Sequence, residues 1–244
     1  MTGVGREQEN AGGEAASRNL TFTLLDAIGR GIVTGAYEGQ RFPTEAELAA
    51  EHKVSRSVTR EAVKMLTAKG LLTARPRAGT TVQPPSSWNL FDPDILRWLL
   101  ERKFSLDLLR QFSELRVAIE PAAAALAARG RDPAGLAAIR AGYARMEAAE
   151  AGADDPLDAD IAFHIAVLEA AANPFYRQFR DLVATALQTS IRFTNRFQGR
   201  TASLPAHRIV LEAIEGGEAE TAREAMTAII ADVMVLIEAA ERKG

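Results

Sequence analysis

The sequence predicts a mainly α chain in two parts: a small N-terminal module of three helices closed by a β-hairpin, then an all-α antiparallel helical bundle. Three observations lead there. Strand signals are confined to 71–74 and 80–82, apolar residues after position 92 recur at helical spacing between Pro or Gly breaks, and the charge changes sign between the parts. Residues 18–85 hold ten basic and six acidic groups, a net +4, so the remainder carries −7 to give the chain's −3. With 244 residues, 47% hydrophobic and 25% charged, the composition suits a globular protein with room for two cores. The absence of cysteine excludes a disulfide scaffold, thiolate zinc sites and cysteine nucleophiles. No apolar stretch is long enough to span a membrane and the N-terminus lacks the apolar core of a secretory signal, so a cytoplasmic location is expected.

Residues 1–17 are Gly, Ala, Glu and Ser with little to bury, and read as a disordered tail. From Leu20, the positions Leu24, Leu25, Ile28, Ile32 and Val33 mark a helix that Gly35 stops. Thr44 with Glu47 three residues on is a capping box behind Pro43, opening a short helix to about His52. After a tight turn at Lys53-Val54, Ser55 caps another helix through Lys69, which Gly70 ends. Two short strands then flank Pro76-Arg77-Ala78-Gly79. Helix, helix, tight turn, helix and hairpin in that order spell a winged helix-turn-helix over 18–83.

Pro84-Pro85-Ser86-Ser87 begins a linker over 84–91, and the second domain is expected over 92–244. Its segments 92–103, 105–129, 133–151, 156–172, 174–197, 203–215 and 218–242 read as helices. Pro121, inside an Ala-rich stretch, kinks its helix or begins a new one.

In a helix-turn-helix the second helix enters the major groove and its first turns face bases and phosphates. Here those turns are Ser55-Arg56-Ser57-Val58-Thr59-Arg60, with the two arginines four apart on one face. An Arg fork grips guanine or a phosphate in two places, and the hydroxyls beside it add donors. Arg75 and Arg77 flank the hairpin tip, where with Gly79 a basic wing would touch backbone or minor groove. A single such Arg is more often plain surface solvation; the ordered constellation points to double-stranded DNA.

FPTEAELAAEHKVSRSVTREAVKMLTAKGLLTARPRAGTTV resembles the DNA-binding domain of the GntR family of bacterial transcription regulators. The resemblance implies operator contacts by Arg56, Ser57, Thr59 and Arg60, with Thr44 and Ser55 completing the set. Many members carry Arg where this chain has Ala46, which implies an operator that departs from the commonest pattern.

In the second part, Arg116 and Glu120 sit one turn apart, which by spacing alone is a surface ion pair and otherwise an inward clamp for an anion. Asp160 and His164 are also four apart, bordering the apolar Ile161, Ile165 and Leu168. Such a pair suits a divalent metal, although a hydrogen-bonded core pair is commoner. His207 follows Pro205 in a late helix and could complete a two-His, one-carboxylate set.

ELRVAIEPAAAALAA, DADIAFHIAVLEAAANP and HRIVLEAIEGGEAETAREAM resemble the FadR-type ligand-binding (FCD) domain of the same family. That resemblance implies a metal, zinc or similar, held by Asp160, His164 and His207, with a carboxylate effector bridging metal and Arg116. The last His of the family pattern falls on Ile229, which implies a weaker three-ligand site or a metal-free pocket. SSWNLFDPDILRWLLERK is similar to the junction in regulators of sugar-acid catabolism, the galactonate-operon repressor type, which also tend to carry Ala46 and lack that His. Trp88 and Trp98 are expected to dock the linker helix on the two domains. The implied protein is not an enzyme but a homodimeric repressor on a palindromic operator, released by a small carboxylate such as an aldonate or uronate. The alternatives are a fatty-acyl or amino-acid effector, or a metal-dependent hydrolase.

Overall fold

Eleven helices and one two-stranded antiparallel sheet are seen among residues 4–75, 79–103, 105–197 and 203–242, which the computed structural model describes. They divide into two units, Met1–Lys103 and Phe104–Gly244.

In the first unit, helix α1 runs Val4–Val33. It begins inside the stretch expected to be a disordered tail; Ala, Glu, Gln and Arg, all good helix formers, dominate the extension. Helix α2 (Glu45–Glu51) opens with the expected box: the Thr44 hydroxyl accepts from the Glu47 amide while the Glu47 carboxylate accepts from the Thr44 amide. Lys53 takes the left-handed conformation (φ 53°) that closes the turn. Ser55 then caps α3 (Arg56–Ala68), whose buried stripe is Val58, Thr59, Ala62, Val63 and Leu66. Strands β1 (Leu72–Arg75) and β2 (Gly79–Val82) pair with Arg75 opposite Gly79, and Gly79 has φ +81°. Arg77 and the rest of the expected tip, 76–78, lie outside the described residues.

A 3-10 turn (Pro85–Ser87) leads to α4 (Pro93–Glu101). The sequence assigned this helix to the second domain, but it belongs to the first unit. The fully buried Trp98 ring lies on α1, where a Cβ at Gly29 would come within 2.2 Å of it, and its Nε1 donates to Asp26 Oδ1 at 2.9 Å. Lys69 reaches Asp92 and Asp94 at 2.6 and 2.8 Å. Trp98 thus docks on the N-terminal unit alone among these contacts, and Trp88 Nε1 donates to the Gln83 carbonyl.

The second unit holds α5 (Leu106–Gly130), α6 (Pro133–Glu150), α7 (Pro156–Ala170), α8 (Pro174–Arg177), α9 (Arg180–Phe197), α10 (Leu204–Gly216) and α11 (Ala219–Glu241). Prolines 133, 156 and 174 stand in first turns behind capping Asp132, Asp155 and Asn173, so residues that break one helix open the next. Helix α5 continues through Pro121. The expected helix 174–197 is two, α8 and α9, where Tyr176 and Phe179 pack against the Ile119, Leu168 and Val183 cluster. Helix α5 packs along α11, and α6 along α7. At Gly142 the absence of a side chain lets α6 approach α7: a Cβ there would stand 2.8 Å from Phe163 Cα.

Candidate functional site

The N-terminal end of α3 presents Ser55, Arg56, Ser57 and Arg60 to solvent. Arg60 lies 3.7 Å from Glu45, an exposed pair that costs little to open. Ser55 is partly spent on the cap, accepting from the Val58 amide at 3.3 Å, and its hydroxyl lies 2.9 Å from that of Ser57. Thr44 is exposed, yet its hydroxyl serves the capping box. Thr59 corrects the sequence expectation. It is fully buried, on the same helical stripe as Val58, Ala62 and Val63, and its hydroxyl donates to the Ser55 carbonyl at 3.2 Å. Arg75 is placed at the end of β1 and Gly79 at the start of β2.

The second unit brings Arg116, Asp160, His164 and His207 together inside the bundle. Arg116 is only 2% exposed, so the surface ion pair suggested by its spacing is instead a buried one. Its Nε donates to Glu120 Oε1 at 2.5 Å and its Nη2 to Oε2 at 3.4 Å. Glu120 Oε2 also accepts from His164 Nδ1 at 2.5 Å. Burial pushes the Glu120 carboxyl up, but the Arg116 and His164 charges and hydrogen bonds outweigh it and hold the group at about 2. An ionised carboxylate only accepts, so His164 Nδ1 carries the proton.

On α10, the Ser203 carbonyl takes the His207 Nδ1 proton at 2.8 Å. Both rings therefore turn Nε2 inward, 3.3 Å apart, and those nitrogens lie 3.7 and 3.1 Å from Asp160 Oδ1. Asp160 Oδ1 is buried and, apart from these two imidazole nitrogens, meets no polar partner among the described residues. Burial raises the Asp160 carboxyl, while His207, His164 and Arg116 bring it net below the ordinary carboxylate range. Phe163 packs its ring against both imidazoles, with centroids 5.9 and 5.1 Å away.

Two imidazole nitrogens and a carboxylate oxygen thus converge in a dry interior, an arrangement that a cation would satisfy. Ligand atoms bound tetrahedrally at about 2.0–2.1 Å would lie about 3.3 Å apart, close to the separations seen here. Two imidazoles and a carboxylate suit zinc or a similar divalent ion. Ile229, where the family pattern noted above implies a His, packs against the apolar cluster that includes Met226 and Ile230. Glu120 escaped the sequence reading as a member of this site. The available signal was its place between Ile119 and the Ala-rich run 122–125, where no neighbour is suited to water.

Residues 23–82 match the family described as bacterial regulatory proteins, gntR family, and residues 111–232 match the FCD domain. The HTH-type transcriptional regulator YieP of Escherichia coli K12, itself uncharacterized, is 33% identical over 219 residues, covering 88% of this chain and 94% of its own. The galactonate operon transcriptional repressor of the same organism is 33% identical over 218 residues, covering 87% and 94%. A solved structure of Lar, described as controlling expression of the Listeria monocytogenes agr system, has a TM-score of 0.58 at 19% identity. It covers 89% of this chain and 96% of that one, and supports the fold alone. No helix among the described residues is long and apolar enough to cross a membrane. The metal-hydrolase alternative falls away, and the chain is a member of the gntR family of bacterial regulatory proteins, a DNA-binding transcription regulator whose second unit is an FCD domain.

Proposed function

We propose that the protein is a homodimeric repressor whose two α3 helices read successive major grooves of a palindromic operator, and which a small carboxylate, an aldonate or uronate, releases. Arg56, Ser57 and Arg60 make the base and phosphate contacts, with Ser55, Thr44 and the wing residues Arg75, Arg77 and Gly79 at the flanks. In the second unit Asp160, His164 and His207 would hold a divalent metal, which when bound supplies a Lewis-acidic point for the effector carboxylate. Arg116 faces the same carboxylate: among the described residues, no hydrogen bond engages its Nη1.

One observation carries the effector assignment, the buried Asp160 Oδ1 facing two inward-turned imidazole nitrogens within a bundle that also holds a buried guanidinium. Such a set is built for an anion and a cation together, and it disfavours a fatty-acyl ligand, which needs an apolar pocket. The repressor sign and the sugar-acid class draw support from the galactonate operon repressor. A coupling of about 1–3 kcal/mol between effector and operator would weaken DNA binding about 5–150-fold. The test is a thermal-shift screen of aldonates and uronates with and without zinc, followed by operator titration on DNA upstream of the gene. A stabilising sugar acid that leaves operator affinity unchanged contradicts the release mechanism.

A further inference from the structure

The buried polar groups of the second unit form two arms joined at one residue. One arm is the Arg116 guanidinium; the other is His164 with Asp160 and His207. Glu120 touches both, with Oε1 on Arg116 Nε and Oε2 on His164 Nδ1, each at 2.5 Å. Building on the metal reading above, we infer that Glu120 is the positioning residue of the metal site, fixing the His164 ring with Nδ1 protonated and Nε2 bare toward Asp160 and His207.

Among the described residues Nδ1 has no second acceptor, whereas Nε2 faces His207 Nε2 at 3.3 Å and Asp160 Oδ1 at 3.7 Å, the latter too far to hold a proton. Arg116 Nε holds the other oxygen of the same carboxylate, which turns Oε2 toward His164 in a site only 1% exposed. His207 reaches the same state by a separate route, through the Ser203 carbonyl. The two rings are therefore set by one side chain and one main-chain group. A carboxylate on the far nitrogen also makes a ligating imidazole more basic.

The chain has three histidines, so long-range 1H–15N correlation on full-length, metal-free, 15N-histidine-labelled protein can be assigned with a His52→Gln and a His207→Gln variant. His164 is expected as the Nδ1–H tautomer, and zinc should shift Nε2 while Nδ1 keeps its proton. In Glu120→Gln, whose amide can donate or accept, the preference should be lost. Zinc affinity, read by competition with a chromophoric chelator, should fall about 10–100-fold. Because that variant leaves Arg116 unpaired and could unfold, the paired Arg116→Met/Glu120→Gln, which buries no orphan charge, is measured against wild type and should show the same loss of tautomer preference and a fall in zinc affinity. An Nε2–H tautomer in the wild type, or zinc affinity unchanged from wild type in both variants, overturns the inference alone. A wild-type protein that takes up no zinc overturns it together with the metal reading.

Discussion

The start of α3 and the interior of the FCD domain use arginine in opposite ways. Arg56 and Arg60 stand in water, with one loose ion pair between them and the rest of the unit. Arg116 is sealed in the bundle and gripped by Glu120. An exposed guanidinium contributes little to folding and stays available to a polyanion, where counterion release supplies the affinity. A buried one must be neutralised within the protein before any ligand arrives, because its uncompensated charge would cost several kcal/mol. The first region is thus a surface completed by its partner. The second meets its charge within the protein, through the Arg116–Glu120 pair.

Substitutions should separate these two uses. The largest effect is expected from Arg116→Met, which strands Glu120 and should cost about 3–5 kcal/mol, lowering Tm by on the order of 10 °C. Adding Glu120→Gln should recover part of that loss in thermal denaturation. Arg56→Ala should leave Tm within about a degree while weakening operator binding by about 1–3 kcal/mol, measured by fluorescence anisotropy. A large fall in Tm with unchanged operator affinity would reverse the roles assigned to the two arginines. Gly142→Ala should destabilise by about 1–3 kcal/mol, since the new Cβ meets the Phe163 backbone on the helix that carries Asp160 and His164. Ser55→Ala should cost about 1 kcal/mol through the lost cap.

The smallest effect concerns acid. The Arg41 hydrogen bond and the Thr44 amide and hydroxyl lower the exposed Glu47 carboxyl from 4.5 to about 2. A carboxylate with a depressed native pKa stabilises above its ordinary value, and that contribution is lost as pH falls from about 4.5 toward 2. Glu47→Gln should therefore flatten the pH dependence of stability in that window while changing little at neutral pH, which acid titration of the wild type and variant would show.

Legibility followed sequence distance. The capping box at Thr44, the Ser55 cap and the hairpin are set by neighbours within a few residues, so their residue types announce them. Thr59 is less legible, because helical phase, not composition, decides which hydroxyls face out, and its own is buried. Asp160 and His164 could be paired by spacing, but the contacts of His164 with Glu120 and His207 span 44 and 43 residues. Only the packing of α5, α7 and α10 brings them together. The break between α8 and α9 has no Pro or Gly to mark it; Tyr176 and Phe179 beside it pack, partly buried, against the Ile119, Leu168 and Val183 cluster. The boundary after Lys103 was hidden for a similar reason: Pro84-Pro85 resembles a joint, whereas Trp98 and Lys69 tie the following helix back.

That tie sets where this protein can be cut and recombined. A chimera joined at the prolines would strip the reading head of α4, leaving the surface over Gly29 bare and Lys69 without Asp92 and Asp94. Joined after Lys103, the head would keep α4 with the Trp98 and Lys69 contacts that clasp it.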